Sequence, residues 1–220
     1  RDGHFSRLMA ERFEHVPALD LTRPDIAHPR IDCVEGNAAN LGFDDGAFDF
    51  VFCAEVLEHV PTAILAEVCR EIQRVARDRI VIGVPYKQDI RVGRTTCYSC
   101  GEKNPPWGHV NAFDEARLQQ LFSACQILDV SLIGQNTSQT NALSTWLMDL
   151  AGNPYGTYEQ EEGCVKCGQR LRAPPMRSAA QRVATKLAFW ARRVTDLTAR
   201  PRSNWIHIVF SKTAPAERSR

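Results

Sequence analysis

The segment that decides the fold is FDFVFCAEVLEHVP, residues 48–61. Its first part, 48–54, is almost continuously apolar, which predicts a strand buried on both faces of a sheet. Pro61 then opens a helix with a single apolar stripe, formed by Ile64, Leu65, Val68, Ile72 and Val75. Ligands of doubly wound sheets bind outside the carboxyl ends of the strands, so Cys53 and Glu55 lie where a ligand is expected.

Apolar runs and helical stripes alternate on both sides of this segment. Further strands are predicted at 16–21, 31–34, 79–84, 127–133 and 205–210. Other helices are predicted at 5–13, after Asp114 and over 183–197. This alternation predicts an α/β fold with a doubly wound, mostly parallel Rossmann-like sheet that is covered by helices on both faces.

Small and polar residues stand at the expected ligand-binding edge of this sheet. A glycine before a helix lets backbone approach a ligand, a strand-end carboxylate can accept both hydroxyls of a ribose, and an amide can meet the edge of a purine. The candidate cofactor-binding residues are Asp2, Gly3, Asp20, Asn37, Ala38, Cys53 and Glu55. Taken singly, Asp20 could cap its strand, and Glu55 and Glu58 could be charges at the start of the following helix.

The segment 48–61 resembles the region around the fourth strand of class I S-adenosylmethionine-dependent methyltransferases, in which an aspartate opens the strand and Glu-Val-Leu-Glu-His closes it. Upstream, DGHFSRL resembles the glycine-rich first motif of that family, ALDL its ribose-binding strand end, and EGNAANLGF its adenine-side loop. The resemblance covers 1–134 and the final strand, and it implies S-adenosylmethionine as the cofactor. Asn37 replaces the family's usual aspartate, which keeps an amide oxygen for the adenine amino group but removes the charge.

The resemblance also bears on the start of the chain. The family's first strand and first glycines would lie upstream of Arg1. We therefore expect the N-terminus to be truncated and the chain as given to bind the cofactor weakly.

Two copies of Cys-x-x-Cys-Gly indicate a metal site. They are Cys97-Tyr-Ser-Cys100-Gly and Cys164-Val-Lys-Cys167-Gly. Two such turns resemble the knuckles of zinc ribbons and complete a four-thiolate site, which has no open position for water and is therefore structural. The alternative is a pair of thioredoxin-like redox motifs, but neither copy lies between a strand and a helix.

The cysteine pairs fall in two connections that are much longer than usual, 85–112 and 135–180. Both would leave the same edge of the sheet, so a shared zinc ion would join them as one lid or wall over the cofactor face. We therefore expect four parts of the chain. These are a cofactor-binding part at 1–84, a zinc-ribbon-like module from the two insertions, the rest of the methyltransferase domain at 113–134 and 181–212, and a disordered tail at 213–220.

His109 is the candidate catalytic base. An oxygen nucleophile needs a group that takes its proton, and WGHVNAFDEARL resembles the His-x-x-x-Phe stretch that many family members carry before the next helix. The alternative is a histidine that holds the entry to this helix by a hydrogen bond. His59 is expected to be a packing or capping residue.

Composition favours a globular protein of near-neutral charge. The chain has 220 residues with a formal net charge of +1, and no apolar run approaches the roughly 18 residues that a membrane span needs. The first residues are too charged for a secretory signal peptide. Eight cysteines in this arrangement favour a reducing cytoplasm over a disulfide scaffold.

The basic charge is concentrated near the end of the chain. Residues 170–202 carry nine Lys or Arg against the single Asp196. Along the helix 181–200, basic side chains flank an apolar stripe of Val183, Leu187, Trp190, Val194 and Leu197. We interpret the stripe as a core face with a solvated basic flank, with peripheral contact to an anion or a membrane surface as the alternative. Nucleic acid is an unlikely partner because few aromatic residues accompany the charges.

The sequence therefore predicts a zinc-containing, S-adenosylmethionine-dependent methyltransferase that acts on a small-molecule or glycan-type acceptor. One alternative is an inactive methyltransferase-like scaffold whose zinc ribbon mediates binding. The other is an NAD-dependent dehydrogenase, which shares the acidic end of the second strand but does not explain Glu-Val-Leu-Glu-His.

Overall fold

A computed structural model describes residues 3–174 and 176–212 of the chain. The predicted cofactor contact of Asp2 and the predicted disordered tail at 213–220 lie outside the described residues. The elements in chain order are α1 (His4–Ala10), β1 (Val16–Asp20), β2 (Ile31–Glu35), β3 (Phe48–Ala54), α2 (Leu65–Val75), β4 (Ala76–Pro85), β5 (Thr95–Thr96), β6 (Lys103–Asn104), a 3-10 turn (Pro106–Gly108), α3 (Glu115–Leu121), β7 (Gln126–Ile133), α4 (Ala142–Leu150), α5 (Ala179–Thr198) and β8 (Trp205–Ser211).

The strands form a mixed arrangement of parallel and antiparallel neighbours. β1 and β2 are a parallel pair. The larger sheet has the order β3-β4-β8-β7. β3 and β4 are parallel, whereas β8 is antiparallel to both β4 and β7, so that β3, β4 and β7 share one direction. The predicted α/β fold is confirmed, with the last strand inserted in the opposite direction.

The main core lies where α2 and α3 cover the larger sheet. The predicted stripe of α2 is buried through Leu65, Val68, Ile72 and Val75. Across the core the rings of Phe122 and Phe210 stack with their centroids 4.9 Å apart. Each such fully buried side chain contributes about 1.5–3 kcal/mol to stability. This core fixes the strands whose carboxyl ends carry the site.

The two long connections contact each other extensively. The Thr157 N–H donates to the Gly93 carbonyl at 2.9 Å, and the Val165 N–H donates to Asn104 Oδ1 at 2.8 Å. Arg94 and Asp149 form an ion pair at 3.1 Å. We call residues 93–108 and 149–171 together the cysteine module.

Helices α4 and α5 pack against each other through small and polar side chains. Ser144 Oγ donates to the Ala188 carbonyl at 2.9 Å, and Asn141 Nδ2 donates to Thr195 Oγ1 at 2.8 Å. The large apolar residues of α5 consequently point away from α4, and the interpretation of its stripe as a core face is wrong. The stripe is exposed, with Val183 at 55%, Leu187 at 50%, Trp190 and Val194 at 67% and Leu197 at 86%. No described helix, α5 included, combines the length and apolar character needed to cross a membrane.

Candidate active site

Asp20 stands exposed at the carboxyl end of β1. The Gly36 N–H donates to the Asp20 carbonyl at 2.9 Å, and Asp20 Oδ1 accepts the Leu21 N–H at 2.6 Å. A Cβ at Gly36 would lie 2.9 Å from the end of the Leu19 side chain, which would have to shift to accept it. The carboxylate is thus fixed at the strand end and open to solvent, as a ribose-binding group must be.

The adjacent loop places Asn37 and Ala38 beside the main core. Asn37 Oδ1 accepts the Ala39 N–H at 2.9 Å, which closes a tight turn, and Ala38 packs against the core. The amide oxygen of Asn37 is therefore already engaged on one side, and its second lone pair is the one that could meet a ligand.

A clamp from α2 holds this loop. Glu71 Oε2 accepts the Leu41 N–H at 2.8 Å, while Arg74 donates to the carbonyls of Leu41 and Phe43 at 2.8 Å each. Arg74 also donates to Glu71 at 2.7 Å, and these hydrogen bonds from Arg74 and Leu41 lower the pKa of Glu71 to about 2. The clamp was not foreseen from the sequence, because nothing in the spacing of Glu71 and Arg74 indicates a loop 30 positions away.

Three further cofactor candidates occupy constrained positions. Gly3 has φ 72°, and a Cβ there would lie 2.8 Å from Ile26, so both conformation and space require glycine. Glu55 also has a positive φ, 57°, and its N–H donates to the Gly83 carbonyl at 3.0 Å. Burial raises the pKa of Cys53 to about 12, so its thiol is protonated and inert. Any cofactor contact of Cys53 would therefore be through its backbone.

A cleft of about 620 Å³ opens at the carboxyl ends of β3, β4 and β7. Glu55 and His59 line it from the segment after β3, and Trp107, His109 and Glu162 line it from the two long connections. Trp107 and Glu162 belong to the cysteine module, so the module shapes this cleft. The remaining lining residues are Pro85, Tyr86, Gln88, Gln135, Asn136, Asn204 and Trp205.

Hydrogen bonds between residues 109–111 and residues 57–60 hold His109 at the cleft. The N–H groups of Val110 and Asn111 both donate to the Glu58 carbonyl, at 2.8 and 3.2 Å. The Asn111 side chain donates to the carbonyls of Leu57 and Val60 at 3.0 and 2.6 Å. The motif after β3 and the motif before α3 are therefore locked together although they are about 50 residues apart.

The surroundings of His109 keep its imidazole neutral. Burial, and to a lesser degree the neighbouring His59, lower the pKa of His109 to about 4. Nδ1 of His109 lies 2.7 Å from Gln88 Oε1. An Nδ1–H that donates to this oxygen leaves Nε2 as the acceptor. The ring of His59 meets that of His109 edge-on, with centroids 4.7 Å apart.

Glu58 is the residue that sequence reasoning misjudged. It is fully buried, and neither carboxylate oxygen has a hydrogen-bond partner among the described residues. Burial raises the pKa of Glu58 to about 7; its own backbone N–H opposes the shift in part, and the charge of Glu55 adds to it slightly. The alternative of Glu58 as a charge at the start of the following helix does not hold, because Glu58 is fully buried and α2 begins only at Leu65. A carboxylate oxygen of Glu58 and ring nitrogens of His59 and His109 all lie within 4.8 Å of one another.

The four predicted metal ligands come together in the cysteine module. The sulfurs of Cys97, Cys100, Cys164 and Cys167 all lie within 4.8 Å of one another, and all eight cysteines of the chain are free thiols. Cys97 Sγ is 3.7 Å from Cys167 Sγ. Cys97 and Cys164 are buried, whereas Cys100 and Cys167 are exposed.

The two Cys-x-x-Cys-Gly turns have the same internal geometry. In each turn the glycine N–H donates to the carbonyl of the first cysteine at 2.8 Å, in the pairs Gly101–Cys97 and Gly168–Cys164. Both glycines have a positive φ, 78° and 69°. Glycine adopts this conformation readily because it has no Cβ, and the turn can therefore close. The N–H groups of Cys100 and then Ser99 lower the pKa of Cys97 to about 6, which favours the thiolate that a metal requires.

Comparison with known protein families finds a match in the first part of the chain. Residues 2–80 match the family described as methyltransferase domain. No curated protein matches the sequence.

Several solved structures share the fold. A SAM-dependent methyltransferase from Methanosarcina mazei is 13% identical with a TM-score of 0.51, and the match covers 96% of this chain and 88% of that one. The 1,6-didemethyltoxoflavin-N1-methyltransferase of Burkholderia thailandensis, solved with 1,6-didemethyltoxoflavin and S-adenosylhomocysteine, is 14% identical with a TM-score of 0.50, covering 97% and 68%. The [4+2]-cyclase SpnF is 16% identical with a TM-score of 0.52, covering 97% and 72%.

The chain shares its fold with solved methyltransferases, and residues 2–80 match the methyltransferase domain family. Since a cyclase has the same fold, the fold alone does not fix the reaction, and the chemistry has to be argued from the side chains.

Proposed function

We propose that this protein transfers a methyl group from S-adenosylmethionine to a hydroxyl of a small-molecule or glycan-type acceptor. The observation that supports the proposal is the order of groups at successive strand ends. Asp20 ends β1 and the 36–38 loop follows β2 in the small parallel pair, Glu55 follows β3 in the larger sheet, and the cleft is lined from Glu55 to His109. Cofactor and acceptor would thus meet between Glu55 and His109.

The cofactor-side residues fit S-adenosylmethionine. Asp20 would accept the ribose hydroxyls, Asn37 and Ala38 would border the adenine, and the backbones of Cys53 and Glu55 would line the path towards the methyl group. Gly3, and Asp2 before it, would contact the amino-acid end. When bound, the cofactor supplies a methyl group on a positively charged sulfur.

His109 would act on the acceptor. Its neutral imidazole can take the proton from an acceptor hydroxyl at Nε2 while the oxygen forms its bond to the methyl carbon. The carbon–sulfur bond breaks at the same time and its electron pair stays on sulfur, so charge is balanced. Gln88 would hold the ring in the tautomer that this step needs.

The lining of the cleft supports a polyol or glycan-type acceptor. Trp107 is half-exposed and could stack against a sugar ring. Gln135, Asn136, Asn204 and Glu162 provide hydrogen-bonding groups around it. A purely apolar acceptor would leave these groups without partners.

We further propose that Cys97, Cys100, Cys164 and Cys167 hold one structural Zn²⁺ ion. Four sulfurs in one cluster, with backbone amides that favour the thiolate, suit zinc and leave no open position for catalysis. The ion would fasten the segments at 85–112 and 135–180 together as one wall of the cleft. Eight free cysteines are consistent with a reducing compartment, which is our reason for proposing a cytoplasmic location.

Calorimetry with S-adenosylhomocysteine and with NAD tests the proposal. Binding of S-adenosylhomocysteine alone, followed by methyl transfer to a glycan or polyol panel, is the expected result. Binding of NAD alone would establish a dehydrogenase instead. Binding of neither would leave a scaffold whose cysteine module serves for interaction.

A further inference from the structure

The buried carboxylate of Glu58 lies within 4.8 Å of ring nitrogens of His59 and His109, two residues that line the cleft. Burial of a charged carboxylate without a hydrogen bond or counter-charge costs several kcal/mol, so such groups in folded proteins are paired, bind a cation or are protonated. Among the described residues neither oxygen of Glu58 has a hydrogen-bond partner. A cation bound between the carboxylate and the imidazoles would remove this cost.

We propose that Glu58, His59 and His109 bind one divalent transition-metal ion at the floor of the cleft. Imidazole ligands favour zinc and its neighbours in the first transition series over magnesium or calcium. Two histidines and one carboxylate are a ligand set that leaves positions open for water or substrate.

The geometry needs only small adjustments. Ligands bound to one ion at about 2.1 Å lie about 3–3.5 Å from each other, and the three ligand atoms already lie within 4.8 Å. Four hydrogen bonds from Val110 and Asn111 hold segment 109–111 against segment 57–60. The ligand side chains therefore need only rotate to close this difference, while the backbone stays in place.

Gln88 provides the support that a ligating histidine needs. A metal-bound histidine usually donates its second ring N–H to an oxygen, which fixes the tautomer and the ring plane. Nδ1 of His109 meets Gln88 Oε1 at 2.7 Å, so Nε2 is the atom available for an ion.

The cysteine cluster is a closed structural site, whereas this site faces the cleft through His59 and His109. Its role rests on the proposed function. With an ion bound, His109 would hold it through Nε2 and the polarised acceptor hydroxyl would lose its proton to water in the cleft; in the ion-free protein His109 would take that proton itself.

The test is a titration of the full chain, with its cysteine cluster already loaded with zinc, by Co²⁺ alone. Calorimetry and the visible spectrum should report one additional ion with nitrogen and oxygen ligands. Glu58→Gln and His59→Ala should each weaken its binding by about 100-fold or more. The matched control is Glu159→Gln, which removes an exposed carboxylate of the cysteine module outside the cleft and should leave cobalt binding unchanged.

Melting curves of each variant check that it is folded, and His59→Ala keeps the test valid if Glu58→Gln does not fold. Absence of the second ion, or unchanged binding in His59→Ala, would overturn the inference. S-adenosylhomocysteine binding and methyl transfer are measured separately in the same samples. If no second ion binds in the titration and methyl transfer is still observed, the metal site is refuted and the proposed function stands.

A second inference comes from the α4–α5 pair, whose apolar side chains face solvent on both helices. Leu143, Trp146 and Leu150 of α4 follow helical spacing and are 58%, 57% and 54% exposed. The stripe of α5 is exposed as well, through Val183, Leu187, Trp190, Val194 and Leu197. A surface of this extent marks an interaction site.

Cations accompany this apolar surface on α5. Lys186, Phe189, Trp190 and Arg193 line a small depression of about 250 Å³. The Arg193 guanidinium lies 5.2 Å from the centre of the Trp190 ring. Tryptophan beside arginine and lysine, next to a leucine and valine stripe, is the composition of helices that lie in the interface of an anionic membrane.

We infer that the outward faces of α4 and α5 dock on an anionic lipid surface. Charge complementarity favours lipid over a second copy of the chain, since a two-fold contact through this face would bring its cations together. The stripe would enter the acyl boundary while Lys186 and Arg193 meet phosphate groups.

Co-sedimentation with vesicles tests this. The chain should bind vesicles of mixed phosphatidylcholine and phosphatidylglycerol but not pure phosphatidylcholine, and salt should weaken the binding. The double change Lys186→Glu with Arg193→Glu should weaken it by about 10-fold or more. Arg12→Glu with Arg23→Glu, an equal charge change on exposed residues near β1, is the control that should bind normally.

Equal binding to both vesicle types, or no binding of the wild-type chain, would overturn the docking proposal. A concentration-dependent dimer that is abolished by Trp190→Ser and forms without lipid would also overturn it, in favour of a second copy.

Discussion

Cys100 Sγ and Cys164 Sγ lie 3.6 Å apart although the two residues are 64 positions apart in the chain. Each belongs to a turn that repeats the hydrogen bonds of the other, so the two turns approach the centre of the cluster in the same way. The contact joins the long connection after β4 to the one after β7. A ligand shared by these turns would couple the two segments as one unit.

The first prediction concerns zinc. Cys100→Ser and Cys164→Ser should each release the ion, because removal of one thiolate from a four-thiolate site is enough to lose tight binding. Metal analysis should find about one zinc per wild-type chain at this cluster, with sulfur scatterers at about 2.3 Å. Amide exchange should increase in both segments, 85–112 and 135–180, in either variant.

Cys125→Ser is the control, because Cys125 is a buried thiol of the main core outside the cluster. Two separate redox pairs would behave differently from a shared ion. Each cysteine substitution would then loosen only its own segment, and chelators would have no effect.

The second prediction concerns the ribose contact. Asp20→Ala should weaken S-adenosylhomocysteine binding by about 1–3 kcal/mol, since it removes charge-assisted hydrogen bonds to the ribose. Calorimetry measures this directly. Asp25→Ala, which removes a nearby exposed carboxylate, should leave affinity within about two-fold. An equal loss of affinity in Asp20→Ala and Asp25→Ala would mean that the overall charge of the protein, and not a ribose contact, affects binding.

The third prediction concerns the clamp on the adenine-side loop. Glu71→Gln removes a carboxylate whose pKa in the folded chain is lowered to about 2, below its ordinary value near 4.3. The wild-type ion pair therefore stabilises the fold above about pH 4, and this contribution is lost as pH falls towards 2. The variant should melt about 2–4 °C lower at neutral pH, and the difference should shrink in acid.

Urea unfolding at several pH values measures this, with Glu67→Gln on the same helix as the control. A stability difference that grew as the pH fell would contradict the assignment. Loss of S-adenosylhomocysteine affinity in Glu71→Gln would show in addition that the clamp positions the loop for the cofactor.

The sequence predicted the elements that depend on local pattern. The strand at 48–54 and the stripe of α2 were visible because their burial follows from apolar periodicity. The cysteine cluster was visible because its spacing is a local requirement of the metal. Glu58 and the exposed stripe of α5 were misjudged for one common reason. Burial depends on what packs opposite a residue. The local sequence around Glu58 and the apolar stripe of α5 do not show which residues pack against them.

The last prediction separates catalysis by His109 from structural support. His109→Gln should lower methyl transfer by about 100-fold or more, the effect typical of a lost group that acts on the proton. S-adenosylhomocysteine affinity should stay within about two-fold, since Asp20 and the 36–38 loop are unchanged. The melting temperature should also change little, because the backbone bonds of Val110 and Asn111 to the Glu58 carbonyl remain. His28→Gln, a substitution in the loop before β2, controls for the loss of a histidine. A large fall in stability with turnover preserved would assign His109 to the support of the helix entry.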